Sequence, residues 1–426
     1  MSKLAILGGK PEIVEPLVPF NRIADAERTA ALRVLDGGVL SGFIGAPGQD
    51  FHGGPEVRAL EEAWCEAFGV AHSVTVNSAT SGLYATVGAV GVGPGDEVIV
   101  PPYTMSATAM APLIYGGIPV FADIEPETFG LDPVQVRRAI TPKTRAIIAV
   151  NLFGHPARLH ELYAIAEEHG LTMIEDNAQA PLASEYGRLA GTIGHIGVFS
   201  LNRHKHIQTG EGGVCVTNDG RLAERLRLIR NHGENLVEDM AVNDLSNLVG
   251  FNYRMTELAA AIGLCQLEKA PEIIAERTAY ARRLSAGVKD LPGITVPVER
   301  DQCQHVYYVW ALRFDAKMVG ISRDVFTQAL AAEGFPLNQG YVNPLYRLPI
   351  FQQRTAIGQH GFPFNLSDRR YDDGLCPVCE KMHEQGELGF GLCTFELSDD
   401  VVDRLTAAFR KVYDNRDDLA QANSVA

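Results

Sequence analysis

The sequence predicts an α/β fold: a mainly parallel central sheet covered on both faces, with a smaller C-terminal α+β domain. Three observations predict it. Between Ser73 and Asp176 strand-like runs alternate with helical stretches, the pattern of parallel strands joined by crossover helices. A long amphipathic stretch at 271–288 reads as a connector, and near Pro292 a second pattern of one strand and two helices begins. At 426 residues, 46% hydrophobic and 21% charged, the chain has the size and composition of a globular enzyme of two or three domains. The expected division is an N-terminal arm and active-site loop at 1–55, a large α/β domain at 56–290 and a small domain at 291–426.

In order, the arm is rich in glycine and proline, carries one helical pattern at 24–35, and leads into the mobile-looking loop 41–54. Pro55 opens a helix with Val57, Leu60, Ala63, Trp64 and Phe68 on one face, since proline suits the first helical position. Strands follow at 73–77, 96–100, 119–124, 145–150, 171–176, 195–200 and 214–217, with helices at 83–90, 133–140, 158–169 and 221–230 between them. Small residues at 258–267 suit a closely packed helix, distinct from the connector at 271–288. The second domain holds a strand at 305–314, helices at 322–333 and 399–413, and a polar tail from Asn415 expected to fray.

Composition also excludes partners. A net charge of −15 repels polyanions, so nucleic acid is not an expected partner. No apolar run reaches the roughly 18 to 20 residues that a membrane helix needs. Seven scattered cysteines and a short apolar start resemble neither a disulfide framework nor a signal peptide, which suggests a reduced, cytoplasmic protein.

Three stretches carry chemistry. Asn77-Ser-Ala-Thr80 ends a strand and opens a helix, a place where free backbone N–H groups and the helix dipole suit a phosphate; simple N-capping by Ser78 or Thr80 explains it equally well. Asp176 stands at a strand end in Glu175-Asp-Asn-Ala-Gln179, where a carboxylate needs a partner such as a cationic ring nitrogen, unless Asp176 or Asn177 merely caps a helix. Ser200 precedes Lys205 by five residues, and Gly210-Glu-Gly-Gly213 follows it. A lysine on so short a loop between buried strands is placed to form a Schiff base, provided its surroundings lower its pKa. This is the order an enzyme needs to hold pyridoxal 5′-phosphate by its phosphate, its ring nitrogen and its aldehyde. Cys376, Cys379, His383 and Cys393 have partly metal-like spacing but no second close pair, so no metal is expected. His204 and His206 flank the lysine and offer acid/base groups, but solvated or packed imidazoles are the expected case for them.

These motifs, with Val100-Pro-Pro-Tyr-Thr104 and Gly250-Phe-Asn-Tyr-Arg-Met255, resemble the DegT/DnrJ/EryC1/StrS family of fold-type I pyridoxal-phosphate enzymes, the sugar aminotransferases. The resemblance runs from about Gly54 to the last helix. It implies that Lys205 carries the cofactor's Schiff base and serves as proton shuttle, that Asp176 pairs with the pyridine nitrogen, and that Gln179 lies against the phenolic oxygen. Ala79, Thr80 and Ser200 would hold the phosphate, and Asn252 would reach it from the partner subunit of a homodimer. Met105 stands where the family places a stacking aromatic ring, and a thioether also packs on a ring.

The implied reaction is transamination from glutamate or glutamine to a keto-sugar, nucleotide-linked by preference, or to a cyclitol or free keto-sugar, with pyridoxamine phosphate as the alternate cofactor form. Phe43, Phe51, His52, Tyr103, Asn151, Tyr341 and Tyr346 are candidate walls of the acceptor pocket. Two rivals stand beside this reading. Dehydratases of the family carry histidine in place of the lysine, but the spacing puts Lys205 at that position. A regulatory protein on the same fold would not need the Lys205, Asp176 and Gln179 set.

Overall fold

The computed structural model describes residues 3–425, the last three by backbone alone. Its centre is a seven-stranded sheet of β1 (His72–Val76), β2 (Glu97–Val100), β3 (Ile118–Phe121), β4 (Thr144–Val150), β5 (Thr172–Asp176), β8 (Ile196–Ser200) and β9 (Gly213–Thr217). Between β5 and β8 lie the two-residue strands β6 (Ser184–Glu185) and β7 (Arg188–Leu189), which form a small sheet with β11 (Cys303–Gln304). The order across the large sheet is β1-β9-β8-β5-β4-β2-β3. Pairs from β3 to β8 are parallel, while β9 runs antiparallel between β8 and β1. The sheet is therefore mixed but mostly parallel, as expected.

Both faces are covered. Ala146, Ile148 and Val150 of β4 enter one core while Ile147 and Ala149 enter another, because successive side chains of a strand point to opposite faces. Two-sided burial explains the continuous apolar runs. Helices α1 (Asp25–Gly37), α2 (Pro55–Phe68), α3 (Ala79–Ala89), α4 (Ala107–Ile114), α5 (Pro133–Ala139), α6 (Leu159–His169) and α7 (Gly220–Arg230) precede the long α8 (Glu257–Val288).

Two local expectations are corrected. The helices expected at 258–267 and 271–288 are one, with Pro271 inside it. Pro271 is on the exposed side, and as a proline it takes one N–H out of the helix ladder there. The tail, expected to fray, is helical over Arg416–Val425, and Leu419 is buried in the second core.

That second core gathers Trp310, Phe326, Phe390 and Phe409 around a sheet of β10 (Ile294–Thr295), β12 (Val309–Phe314), β14 (Glu387–Gly391) and β13 (Asn338–Gln339). Leu4 and Ile13 from the N-terminus join it, as does the end of α8 through Leu284 and Val288. The segment 345–382 crosses back, and Tyr346, Phe351, Phe364 and Tyr371 pack into the large sheet's core. Among the described residues no helix is long and apolar enough to cross a membrane.

Candidate active site

The ends of β1, β5 and β8 and the start of the antiparallel β9 lie at one edge of the sheet, beyond the carboxyl ends of the parallel strands, where such folds bind ligands. Strand alternation sorts the carboxylates of β5. Glu175 turns inward and accepts from the N–H groups of Gly191 (2.6 Å), Ile193 (2.7 Å) and Gly194 (2.6 Å). Asp176 takes the other face. Its Oδ2 accepts from the Thr108 hydroxyl at 2.8 Å and its Oδ1 from the Ala178 N–H at 3.2 Å. A tight turn follows β5, not a helix, so Asp176 caps nothing. Burial pushes its carboxyl upward, while Thr108, Ala178 and the charge of Lys205 pull it back.

The lysine loop closes the hairpin of β8 and β9. Ser200 pairs with Gly213 across it, and Leu201 N–H to Gly212, Thr209 N–H to Leu201 and Arg203 N–H to Gly210 bonds narrow the loop. Lys205 Nζ lies 4.3 Å from the ring centre of Tyr308. Burial lowers its pKa to about 8, against the opposite pull of Asp176 and Cys393, so a useful share of the amine is neutral near physiological pH. The flanking histidines do not share this position. His206 is buried with Nε2 on the Val306 carbonyl at 2.8 Å, and His204 is exposed.

Helix α3 begins against the same hairpin. Ser78 caps it by accepting from the Ser81 N–H at 3.0 Å, which leaves the N–H groups of Ala79 and Thr80 without partners inside the helix. A side chain on Gly213 would put its Cβ 2.7 Å from the Ala79 nitrogen. The glycine is what lets the β9 backbone and the helix N-terminus meet, and Ser200 ends the adjacent strand. The capping and anion readings of this stretch are thus compatible: one hydroxyl caps while two N–H groups stay outward.

On the other side Gln179 donates from Nε2 to the Tyr341 hydroxyl at 3.0 Å and accepts from the Phe153 N–H at 2.8 Å. Tyr103 is fully buried, and its oxygen accepts from the Tyr341 N–H at 2.7 Å. Met105 is 59% exposed at the start of the turn into α4. The Asn252 side chain is exposed, and the backbone carbonyl of Asn252 accepts from Asn77 Nδ2 at 3.4 Å beside the start of α3.

Several expected wall residues belong instead to the scaffold. Asn151 is buried, donating to Asn177 Oδ1 at 2.8 Å and accepting from the Ala157 N–H at 2.9 Å, so its amide is used internally. Phe51 and Tyr346 are core residues, and Tyr346 donates its hydroxyl to Glu380. Phe43 is buried against the Arg230 guanidinium at 4.7 Å. His52 lines a separate cavity with Arg58, His72 and Arg227. Cys376 and Cys379 are buried at the start of a short helix whose N–H groups bind Asp123, and among the described residues no group of three or more His, Cys, Asp or Glu is placed to hold a metal.

Thr108, Tyr308 and Glu387 were not singled out from sequence. Thr108 touches Asp176 from another strand's connection, and no local pattern announces that meeting.

These residues suit pyridoxal phosphate: outward N–H groups behind a glycine-tight strand, a buried carboxylate with lone pairs to spare, and an amine of lowered pKa. The family model of the DegT/DnrJ/EryC1/StrS aminotransferases matches residues 46–385. The chain belongs to that family. It is a pyridoxal-phosphate-dependent aminotransferase of fold type I. It is 34% identical over 430 residues, 98% of this chain and 99% of the other, to the Streptoalloteichus tenebrarius protein named as an L-glutamine:3-amino-2,3-dideoxy-scyllo-inosose aminotransferase. Among solved structures it is similar to DesI in the presence of its TDP-sugar product (TM-score 0.81, 31% identity, 99% of each chain). It is also similar to S. venezuelae DesV in complex with a ketimine intermediate (TM-score 0.79, 30% identity, 94% of this chain and 99% of that one).

Proposed function

We propose that this aminotransferase moves the amino group of glutamate or glutamine to a ketone on a sugar, nucleotide-linked by preference, within amino-sugar or antibiotic biosynthesis. The observation that carries the reading is the Lys205 amine, lowered to about 8, at the same strand edge as the Asp176 carboxylate. A cyclitol ketone is the second reading, supported by the full-length similarity to a protein named for an inosose, whereas the likeness to DesI supports a nucleotide sugar. We further propose a cytoplasmic homodimer, the compartment supported by seven free cysteines and the assembly by the family, in which a homodimer is typical.

When bound, pyridoxal phosphate supplies a ring that withdraws electrons from the carbon next to nitrogen. The N–H groups of Ala79 and Thr80 and the Ser200 hydroxyl would hold the phosphate, with Asn252 reaching a partner's site. Asp176, held by the Thr108 hydroxyl and the Ala178 N–H, would hold positive charge on the ring nitrogen. Gln179 would face the phenolic oxygen, and Met105 would cover the ring. Lys205 Nζ would serve as the base that takes the proton from the donor's α-carbon and as the acid that gives it up again, since a base titrating near the working pH exchanges protons most effectively. In the second half-reaction the same amine would deliver a proton to the acceptor carbon. Tyr341 would border that acceptor.

The test is borohydride trapping with peptide mapping, alongside turnover with glutamate or glutamine and a panel of keto-sugars and ketocyclitols. The label should fall on Lys205, and Lys205→Ala should abolish both label and turnover. A Lys205→Ala protein that still transaminates would overturn the assignment.

A further inference from the structure

One buried carboxyl beneath the site has no part in the chemistry above. Glu387 opens β14 and is 1% exposed. Its Oε2 accepts from the Tyr341 N–H at 2.9 Å and lies 3.4 Å from the Tyr103 hydroxyl, whose oxygen shares the same N–H at 2.7 Å. Among the described residues no ion pair reaches this carboxyl. Arg323, the cation that acts on it from the helix at 323–332, donates instead to the backbone carbonyls of His383 (2.9 Å), Glu384 (2.8 Å) and Glu387 itself (3.0 Å). Burial drives the acid up to about 8, opposed by the Tyr341 N–H, Arg323, Tyr103 and the Gly340 N–H. A buried carboxyl without a counter-ion is a costly structural choice. Even its space is reserved, since a Cβ on Gly389 would stand 2.7 Å from Oε1.

What the acid holds leads to the site. Tyr341 packs edge-on against Phe153 at 5.0 Å and Tyr103 at 6.1 Å. Its hydroxyl meets Gln179, whose other end is fixed by the Phe153 N–H. A continuous path thus runs from β14 of the second sheet, through Tyr103 and the Tyr341 backbone, to the turn after Asp176.

We propose that Glu387 is a positioning residue that holds Tyr103 and the Tyr341 backbone so that the Tyr341 hydroxyl fixes the Gln179 amide toward the cofactor. The inference rests on the cofactor reading given above. It makes Glu387, on a different sheet from Lys205 and Asp176, a determinant of how the cofactor is seated.

The test titrates pyridoxal phosphate into cofactor-free protein, following affinity and the wavelength of the bound band, with melting of the cofactor-free protein measured in parallel. Glu387→Ala should weaken affinity roughly tenfold and move the band, the scale of one lost buried hydrogen-bond site. Glu387→Gln keeps a neutral oxygen acceptor and should restore both. Because the path is serial, adding Tyr341→Phe to Glu387→Ala should cost little more than Glu387→Ala alone. Should Glu387→Ala not fold, Gly389→Ala crowds the same oxygen and should shift affinity and band in the same direction. The proposal is overturned if these variants change melting but neither affinity nor band, if Glu387→Gln behaves like Glu387→Ala, or if the two losses multiply in full. Wild-type protein that bound no pyridoxal phosphate would instead overturn the reading of the whole site.

Discussion

The two walls of the site are built differently. The wall of Asp176, Ser200 and Lys205 is stitched by neighbours in sequence: Ala178 N–H to Asp176, Asn202 N–H to Ser200 and Lys205 N–H to Asn202. The opposite wall is stitched across the chain, for Gln179 and Tyr341 lie 162 residues apart and Tyr103 and Glu387 lie 284 apart. Short-range contacts leave a motif, because spacing and turn chemistry are set locally. Long-range contacts leave only ordinary residue types. The first wall therefore shows its residues in recognisable form, while the second is visible only after folding.

The largest effect should come from breaking the local wall. Asp176→Asn keeps the Thr108 contact but removes the charge, and kcat with any accepted donor should fall about 10²- to 10³-fold, the scale for a group that stabilises developing charge. Stopped-flow bleaching of the bound cofactor by glutamate checks it, and a loss under threefold would mean that Asp176 faces no ring nitrogen. Next, Thr108→Val removes one hydrogen bond to a buried carboxylate and should raise the cofactor Kd by about tenfold or somewhat more. Unchanged affinity there would show that the Ala178 N–H alone suffices.

A third effect is a stability difference with a definite sign. The Lys205 amine titrates at about 8 in the fold against an ordinary 10.5. Below pH 8 both folded and unfolded chains hold the proton, and the cost of burying the charge is full. Between about 8 and 10.5 the unfolded chain holds more protons, so stability rises with pH across that window. Lys205→Met removes the cost at every pH. Its advantage over wild type, in cofactor-free protein, should be greatest near pH 7 and shrink toward pH 10, as read by urea unfolding. An advantage that stayed constant would mean that the amine is not desolvated.

Legibility followed the same division. Strand alternation, the Pro55 helix start and the pair of strands around the Lys205 loop were all readable from residue types and spacing. The acceptor wall was not: Asn151, Phe51 and Tyr346 have the same polar or aromatic character as pocket residues but are used inside the scaffold. The stretches 258–267 and 271–288 misled in another way, since the change from small residues to an amphipathic pattern read as two helices where one runs through Pro271.

What the sequence determined by itself was the sheet, the family and the lysine, because periodicity, turns and strand ends are properties of adjacent residues. Tertiary structure alone decided that Thr108 meets Asp176, that the Tyr308 ring underlies Lys205 and that Glu387 braces Tyr341. Each of those pairings depends on how separate elements pack, and packing is a property of the folded chain as a whole.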